Sequence, residues 1–202
     1  MKLYEMPITP NCLRVNLFIR EKGIEIDREQ LDVRAGDNLT AAFQAKSING
    51  LVPVLELDSG EYLCESVAIC RYLEALHPTP NLFGIGGEEQ ARIEMWQRLI
   101  EFQGIILVAQ AVRNLKKVYQ DRENCIEDWG HEALSRFRTL LPKLNTRLSQ
   151  SSYLAGERFT IADISAFVML KMASVLDIHV DHRLPALAHW QAQIAQRPAF
   201  QS

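Results

Sequence analysis

The sequence predicts two folded parts in tandem, an α/β domain built on a small mixed sheet and then an all-α helical bundle. Three observations carry this. Strand-like and helix-like segments alternate over residues 2–83, whereas helical periodicity alone runs from Glu88 onward. Pro78-Thr79-Pro80 marks the change with a stiff linker. The 202 residues, 48% hydrophobic and 23% charged, suit a globular chain of one large domain or two small ones.

Lys2–Met6 reads as the first strand. Pro10–Lys22 follows as a helix carrying Leu13, Val15, Leu17, Phe18 and Ile19, with Gly23 as its C-terminal stop. Its apolar surface is wider than one narrow stripe, which puts a sheet on one side and another neighbour beyond. Ile24–Val33 is a second strand, with Ile24, Ile26 and Leu31 apolar among charges. After the polar loop Arg34–Asn38, a short helix runs from Thr40 to about Lys46. Val52–Leu57 and Glu61–Leu63 flank Asp58-Ser59-Gly60, a turn signal that makes them a hairpin. A helix over Ser66–Leu76 ends before Pro78. One parallel crossover followed by a hairpin gives a mixed sheet with helices against it.

In the second part, Ile93, Trp96, Leu99, Ile100, Ile106 and Leu107 mark a long helix, with Gly104 a bend or close-packing point. Trp129, Ala133, Phe137, Leu140, Leu141, Leu144 and Leu148 mark another, kinked by Pro142. Ile161–Leu176 and Leu187–Ile194 complete a bundle. Gly84-Ile85-Gly86-Gly87 follows no strand and lacks the full nucleotide fingerprint, so it reads as linker.

Composition excludes several functions. A net charge of -3 without a basic block leaves no electrostatic footprint for nucleic acid. No apolar run approaches the roughly 18–20 residues of a membrane span. Lys2, Glu5, Pro7 and Pro10 leave no room for a signal-peptide core, so the expected location is the cytoplasm, where thiols stay reduced. Cys12, Cys64, Cys70 and Cys125 form no C-x-x-C pair and read as small buried apolar residues. The histidines are scattered, and His179/His182 has only Asp177 and Asp181 nearby, so no metal is expected. Thr160-Ile161-Ala162-Asp163 reads as a capping box, Asp163 standing in for the usual glutamate. That makes Asp163 structural rather than catalytic.

Taken with Leu51-Val52-Pro53-Val54-Leu55, Glu65-Ser66 and the closing Leu184-Pro185-Ala186-Leu187-Ala188-His189-Trp190 and Arg197-Pro198-Ala199-Phe200, the motif order over nearly the whole chain resembles the cytosolic glutathione transferases. The resemblance implies a thioredoxin-like, glutathione-binding domain over residues 1–80, a linker over 81–87 and an all-helical domain over 88–202 that lines the electrophile site. It also implies glutathione as co-substrate, no metal, and a homodimer in which Tyr62 and Arg71 are interface candidates.

The chemistry of glutathione fits these residues. Ser66 opens a helix, so its N–H and hydroxyl can donate to the γ-glutamyl carboxylate at the positive helix end. Glu65 can accept from the γ-glutamyl amine. Pro53 interrupts a strand where proline is normally excluded. The resemblance implies a cis Val52–Pro53 bond, which turns the Val52 backbone outward to pair with the cysteinyl part of glutathione. Ile48 and Leu51 depart from the family's Pro and Lys, Gln or Arg, leaving Asn49, Lys46 and Arg34 as candidates for the glycine carboxylate.

The reactive centre falls in Ile8-Thr9-Pro10-Asn11-Cys12. Thr9 is positioned to be an N-cap, accepting a helix N–H while donating its proton to a thiolate. Asn11 can add an amide donor. The Thr-Pro-Asn run resembles bacterial Nu-class transferases. Cys12 is the rival, because a cysteine at a helix N-terminus can have a lowered pKa and form a mixed disulfide with glutathione. Lowering a thiol pKa from about 8.5 to about 6.5 raises its thiolate fraction at neutral pH roughly 25-fold. A Brønsted slope near 0.5 then costs about tenfold in nucleophilicity. Most acceleration must come from placing a small apolar electrophile against the sulfur. Trp96, Leu99, Ile100 and Gln103 are candidates to line its site, with the helical core as their plainer reading. Glutathione-dependent disulfide reduction, and a non-catalytic regulator of the same fold resembling the stringent-starvation type, stand as alternatives.

Overall fold

A computed structural model of the chain describes residues 1–201. It separates into two compact units, Met1–Asn81 and a second beginning at Leu82.

The first unit is a mixed sheet with helices, the thioredoxin-like arrangement. Its strands are β1 (Lys2–Glu5), β2 (Asp27–Gln30), β3 (Val54–Glu56) and β4 (Tyr62–Cys64), in the spatial order β2-β1-β3-β4. β1 pairs parallel with β2 and antiparallel with β3, which pairs antiparallel with β4. The crossover and the hairpin lie where the turn residues put them. Helix α1 (Pro10–Lys22) packs against α3 (Ser66–Leu76), while α2 is one short turn over Ala41–Gln44. Leu3, Val15, Phe18, Leu55, Ile69 and Leu73 are buried in the core.

α1 stops where Gly23 takes φ +63°, and the Gly23 and Ile24 N–H groups close back on Arg20 and Ile19 carbonyls at 3.1 and 3.0 Å. Just inside that end, the buried Lys22 ammonium pairs with Glu74 at 2.5 Å and donates to the His77 carbonyl at 2.7 Å and to that of Pro80. One cation thus ties α1 to α3 and to the linker.

Two strands differ from expectation. β2 covers only Asp27–Gln30, and all four residues are exposed. It pairs on one side only, with the four residues of β1, so Ile24, Ile26 and Leu31 fall outside the ladder. β3 starts at Val54 rather than Val52, because Pro53 has no N–H to give.

The second unit is helical: α4 (Gly87–Ile100), α5 (Ile106–Lys116), α6 (Glu127–Arg138), α7 (Leu140–Leu148), α8 (Ile161–Ala173) and α9 (Pro185–Ala195). A wider π-turn over Glu101–Ile105 joins α4 to α5 without ending the helix. It contains Gly104, where a Cβ would lie 2.2 Å from Met169 Sδ and 3.3 Å from Leu140 Cδ2. Only glycine lets these helices approach so closely. The disruption expected at Pro142 lies at Thr139, one turn earlier, because the proline removes an N–H and crowds the carbonyl of Arg138. α8 ends at Ala173, and Ser174–Leu176 tightens into a 3₁₀ turn.

The capping box at Thr160 and Asp163 is formed. The Asp163 carboxylate is fully buried and accepts from the Thr160 N–H at 2.9 Å, the Thr160 hydroxyl at 3.0 Å, the Leu154 N–H at 3.0 Å and Trp190 Nε1 at 3.2 Å. Burial pushes its pKa up to about 6, against the opposing pull of those donors. Gly84-Ile85-Gly86-Gly87 is folded onto the start of α4, where Glu89 accepts the Ile85 N–H at 2.6 Å. Among the described residues, no helix is long and apolar enough to cross a membrane.

Candidate active site

The sheet register assembles the candidate site in the first unit. Val54, at the start of β3, faces Tyr4 near the end of β1 and Cys64 at the end of β4. The chain leaving β1, the Val52–Pro53 step entering β3 and the Glu65–Ser66 step leaving β4 therefore meet at one sheet end. Two helices, α1 and α3, start there, with their positive N-terminal ends.

Leaving β1, the chain turns so that Thr9 N–H and Thr9 Oγ1 both donate to the Met6 carbonyl at 2.9 Å. Thr9 occupies the N-cap position with extended backbone, Pro10 is the first helical residue, and the Thr9 hydroxyl caps no helix N–H. This corrects the expected capping role: the hydroxyl closes the turn before the helix instead. Thr9 is half-buried and Asn11 exposed, whereas Cys12 points into the core and is fully buried. Burial pushes the Cys12 thiol up to about 11, more than the hydrogen bonding of Thr9 and Met6 pulls it down. Such a thiol is almost wholly protonated at neutral pH. Behind the turn, buried Glu5 accepts from Asn16 Nδ2 at 2.6 Å and from Arg28 Nη1 at 2.5 Å. α1, β1 and β2 are locked together beneath this turn.

The Val52–Pro53 bond is cis. The loop before it is held by its own side chains: Ser47 Oγ exchanges bonds with the Leu51 N–H and carbonyl at 3.0 and 2.9 Å, and Asn49 Oδ1 accepts the Leu51 N–H at 3.1 Å. Asn49 Nδ2 donates to Glu65 Oε1 at 3.2 Å. Glu65 is exposed at the N-cap of α3 with φ +69°, a conformation that a non-glycine residue adopts only under constraint. Ser66, the first residue of α3, is buried, and its Oγ accepts from Arg14 Nη1 at 2.7 Å.

The glycine-carboxylate candidates divide. Lys46 Nζ donates to Tyr62 Oη at 3.0 Å and to Tyr4 Oη at 3.2 Å and lies over both rings, and the phenols raise its pKa. Asn49 is turned to Glu65, and Arg34 is exposed.

In the second unit, Trp96 and Leu99 are half-buried and Gln103 is exposed in the π-turn. Ile100 is fully buried. The Arg147 guanidinium lies 5.6 Å from the centroid of the Trp96 ring. Among the described residues, no three His, Cys, Asp or Glu side chains are gathered as a metal site requires.

Two polar residues of note escaped the sequence pattern. Arg14 lies within the apolar run of α1 and is nonetheless buried, and Gln97 is buried in α4, where its Oε1 accepts from Ser165 Oγ at 2.8 Å. An arginine on a core-facing helix position is itself a signal, because such a charge is rarely buried without a partner.

Residues 3–81 match the glutathione S-transferase N-terminal domain and residues 127–198 the glutathione S-transferase C-terminal domain. The chain is 45% identical to a class Gtt2 glutathione S-transferase of Vibrio parahaemolyticus, with a TM-score of 0.89 over 100% of this chain and 96% of that one. A glutathione S-transferase domain-containing protein of Marinobacter aquaeolei VT8 is 32% identical, with a TM-score of 0.95 over 99% of this chain and 100% of that one. Glutathione S-transferase 2 of Saccharomyces cerevisiae is 28% identical over 208 residues, 98% of this chain and 87% of that protein.

Proposed function

The chain belongs to the glutathione S-transferase family, and from that membership we propose that it activates the thiol of glutathione for attack on a small apolar electrophile. One observation supports this reading above the others: a single sheet end gathers Thr9 and Asn11, the cis Val52–Pro53 step, and Glu65 with Ser66. Those groups match glutathione from its γ-glutamyl end to its sulfur. Ser66 and the N-terminus of α3 serve the γ-glutamyl carboxylate, Glu65 the amine, the Val52 backbone the cysteinyl peptide, and Thr9 with Asn11 the sulfur.

Thr9 is the proposed first contact to the thiolate, with Asn11 assisting, as in the Nu-class transferases its loop resembles. Its hydroxyl proton is engaged by the Met6 carbonyl at 2.9 Å and turns to the sulfur once that charge is present. Cys12, buried and protonated, takes no part. Trp96, Leu99 and Gln103 are the proposed contacts of the electrophile. The proposed setting is a cytoplasmic homodimer acting in detoxification.

Calorimetry with glutathione, followed by conjugation of an aryl halide, tests the proposal on wild type, Thr9→Ala and Cys12→Ala. Binding below millimolar, a fall of about tenfold or more in kcat/KM for Thr9→Ala, and a near-wild-type rate for Cys12→Ala are the expected results. Absence of binding at millimolar glutathione defeats the reading, and loss of turnover only in Cys12→Ala reassigns the sulfur contact.

A further inference from the structure

We infer that Arg14 is a positioning residue that sets the direction of the Ser66 hydroxyl toward a bound carboxylate, an inference that rests on the glutathione reading above. Arg14 lies in the second turn of α1, is only 2% exposed, and its Nη1 reaches Ser66 Oγ at 2.7 Å. A guanidinium has N–H donors and no acceptor. Ser66 Oγ must therefore accept in this contact, and its own proton is left to point away from Arg14.

A serine hydroxyl at a helix start otherwise rotates freely between donating and accepting. Here that choice is removed. The Ser66 N–H belongs to the first turn of α3, where no carbonyl four residues earlier in the helix is available to accept it. One N–H and one directed O–H then stand together at a positive helix end, backed by a buried cation. This set suits a single carboxylate, which accepts two donors. Arginine suits the role better than lysine, because its fixed planar fork loses less freedom in holding one direction.

The test is calorimetric. Binding of glutathione is compared with binding of γ-aminobutyryl-cysteinyl-glycine, which lacks only the γ-glutamyl α-carboxylate, for wild type, Arg14→Lys, Arg14→Met, Ser66→Ala and the Arg14→Met/Ser66→Ala double variant. Each of Arg14→Met and Ser66→Ala is expected to raise the Kd of glutathione about tenfold, near 1.4 kcal/mol. The double variant is expected to stay within about twentyfold, because both changes remove one directed donor. Arg14→Lys is expected to recover most of the loss, leaving about a threefold rise. The decarboxylated analogue should bind all variants within about twofold of wild type. Multiplying penalties near 100-fold, equal weakening of the analogue, or an unchanged Kd in Arg14→Met each overturns the inference. If Arg14→Met fails to fold by near-ultraviolet circular dichroism, Arg14→Lys decides alone: a glutathione-specific rise supports the role and an unchanged Kd removes it. Failure of wild type to bind glutathione marks the underlying reading, rather than the Arg14 contact, as the error.

Discussion

At Thr9 a single hydroxyl proton is held by the Met6 carbonyl that closes the turn, and the proposed role has it turn to the sulfur of bound glutathione. Three residues on, Cys12 is one helical turn deeper and has lost contact with water. With its pKa near 11, about one Cys12 in ten thousand is thiolate at neutral pH. Iodoacetamide at neutral pH should therefore label the partly exposed Cys64 and Cys125 and leave Cys12 and Cys70 untouched until the protein is unfolded, as peptide mass mapping can read. Rapid native labelling of Cys12 would mean that the loop opens. The sequence placed Thr9, Asn11 and Cys12 together in one helix start with Thr9 ahead, but it could not tell how deep each lies, because depth depends on what packs against the helix. The same blindness hid Arg14, whose neighbour Ser66 is 52 residues away.

Elements with strong local punctuation were legible. The Ser66–Leu76 helix has the bounds that Glu65-Ser66 before it and Pro78 after it dictate, and Gly23 ends α1 as read. β2 was not legible in length, since its extent is set by the four β1 residues that it pairs with. Gly104 was legible as a special position, but not as part of a π-turn packed against α8. Gly104→Ala should cost about 1–3 kcal/mol, because Met169, itself fully buried, has no free space into which to retreat. Thermal unfolding followed by circular dichroism measures this, and an unchanged midpoint would show that the helices separate without cost.

For the whole molecule, Asp163 links folding to pH. Its native pKa of about 6 lies above the ordinary carboxyl value, so between about pH 4 and 6 the folded protein keeps a proton that the unfolded chain has released. Its contribution to stability is thus fully present below about pH 4 and is lost as pH rises through about 6. The stability difference between wild type and Asp163→Asn should fall by about 3 kcal/mol over that window and stay flat above it. Denaturant unfolding across pH 4–8 reads the slope, and a pH-independent difference would show that the four donors hold the carboxyl at its ordinary value. The sequence by itself determined the order of elements, the change of character near Pro78, the capping box and the motifs that name the family. All of these are written in residues a few positions apart, through helix caps, turn chemistry and periodicity. Only the tertiary structure decided that Cys12 and Ile100 are buried, that Lys46 is held by two tyrosines, and that Arg14 stands behind Ser66. Burial and the partner of a charge depend on distant chain brought close by packing, and no local pattern records which segment that will be.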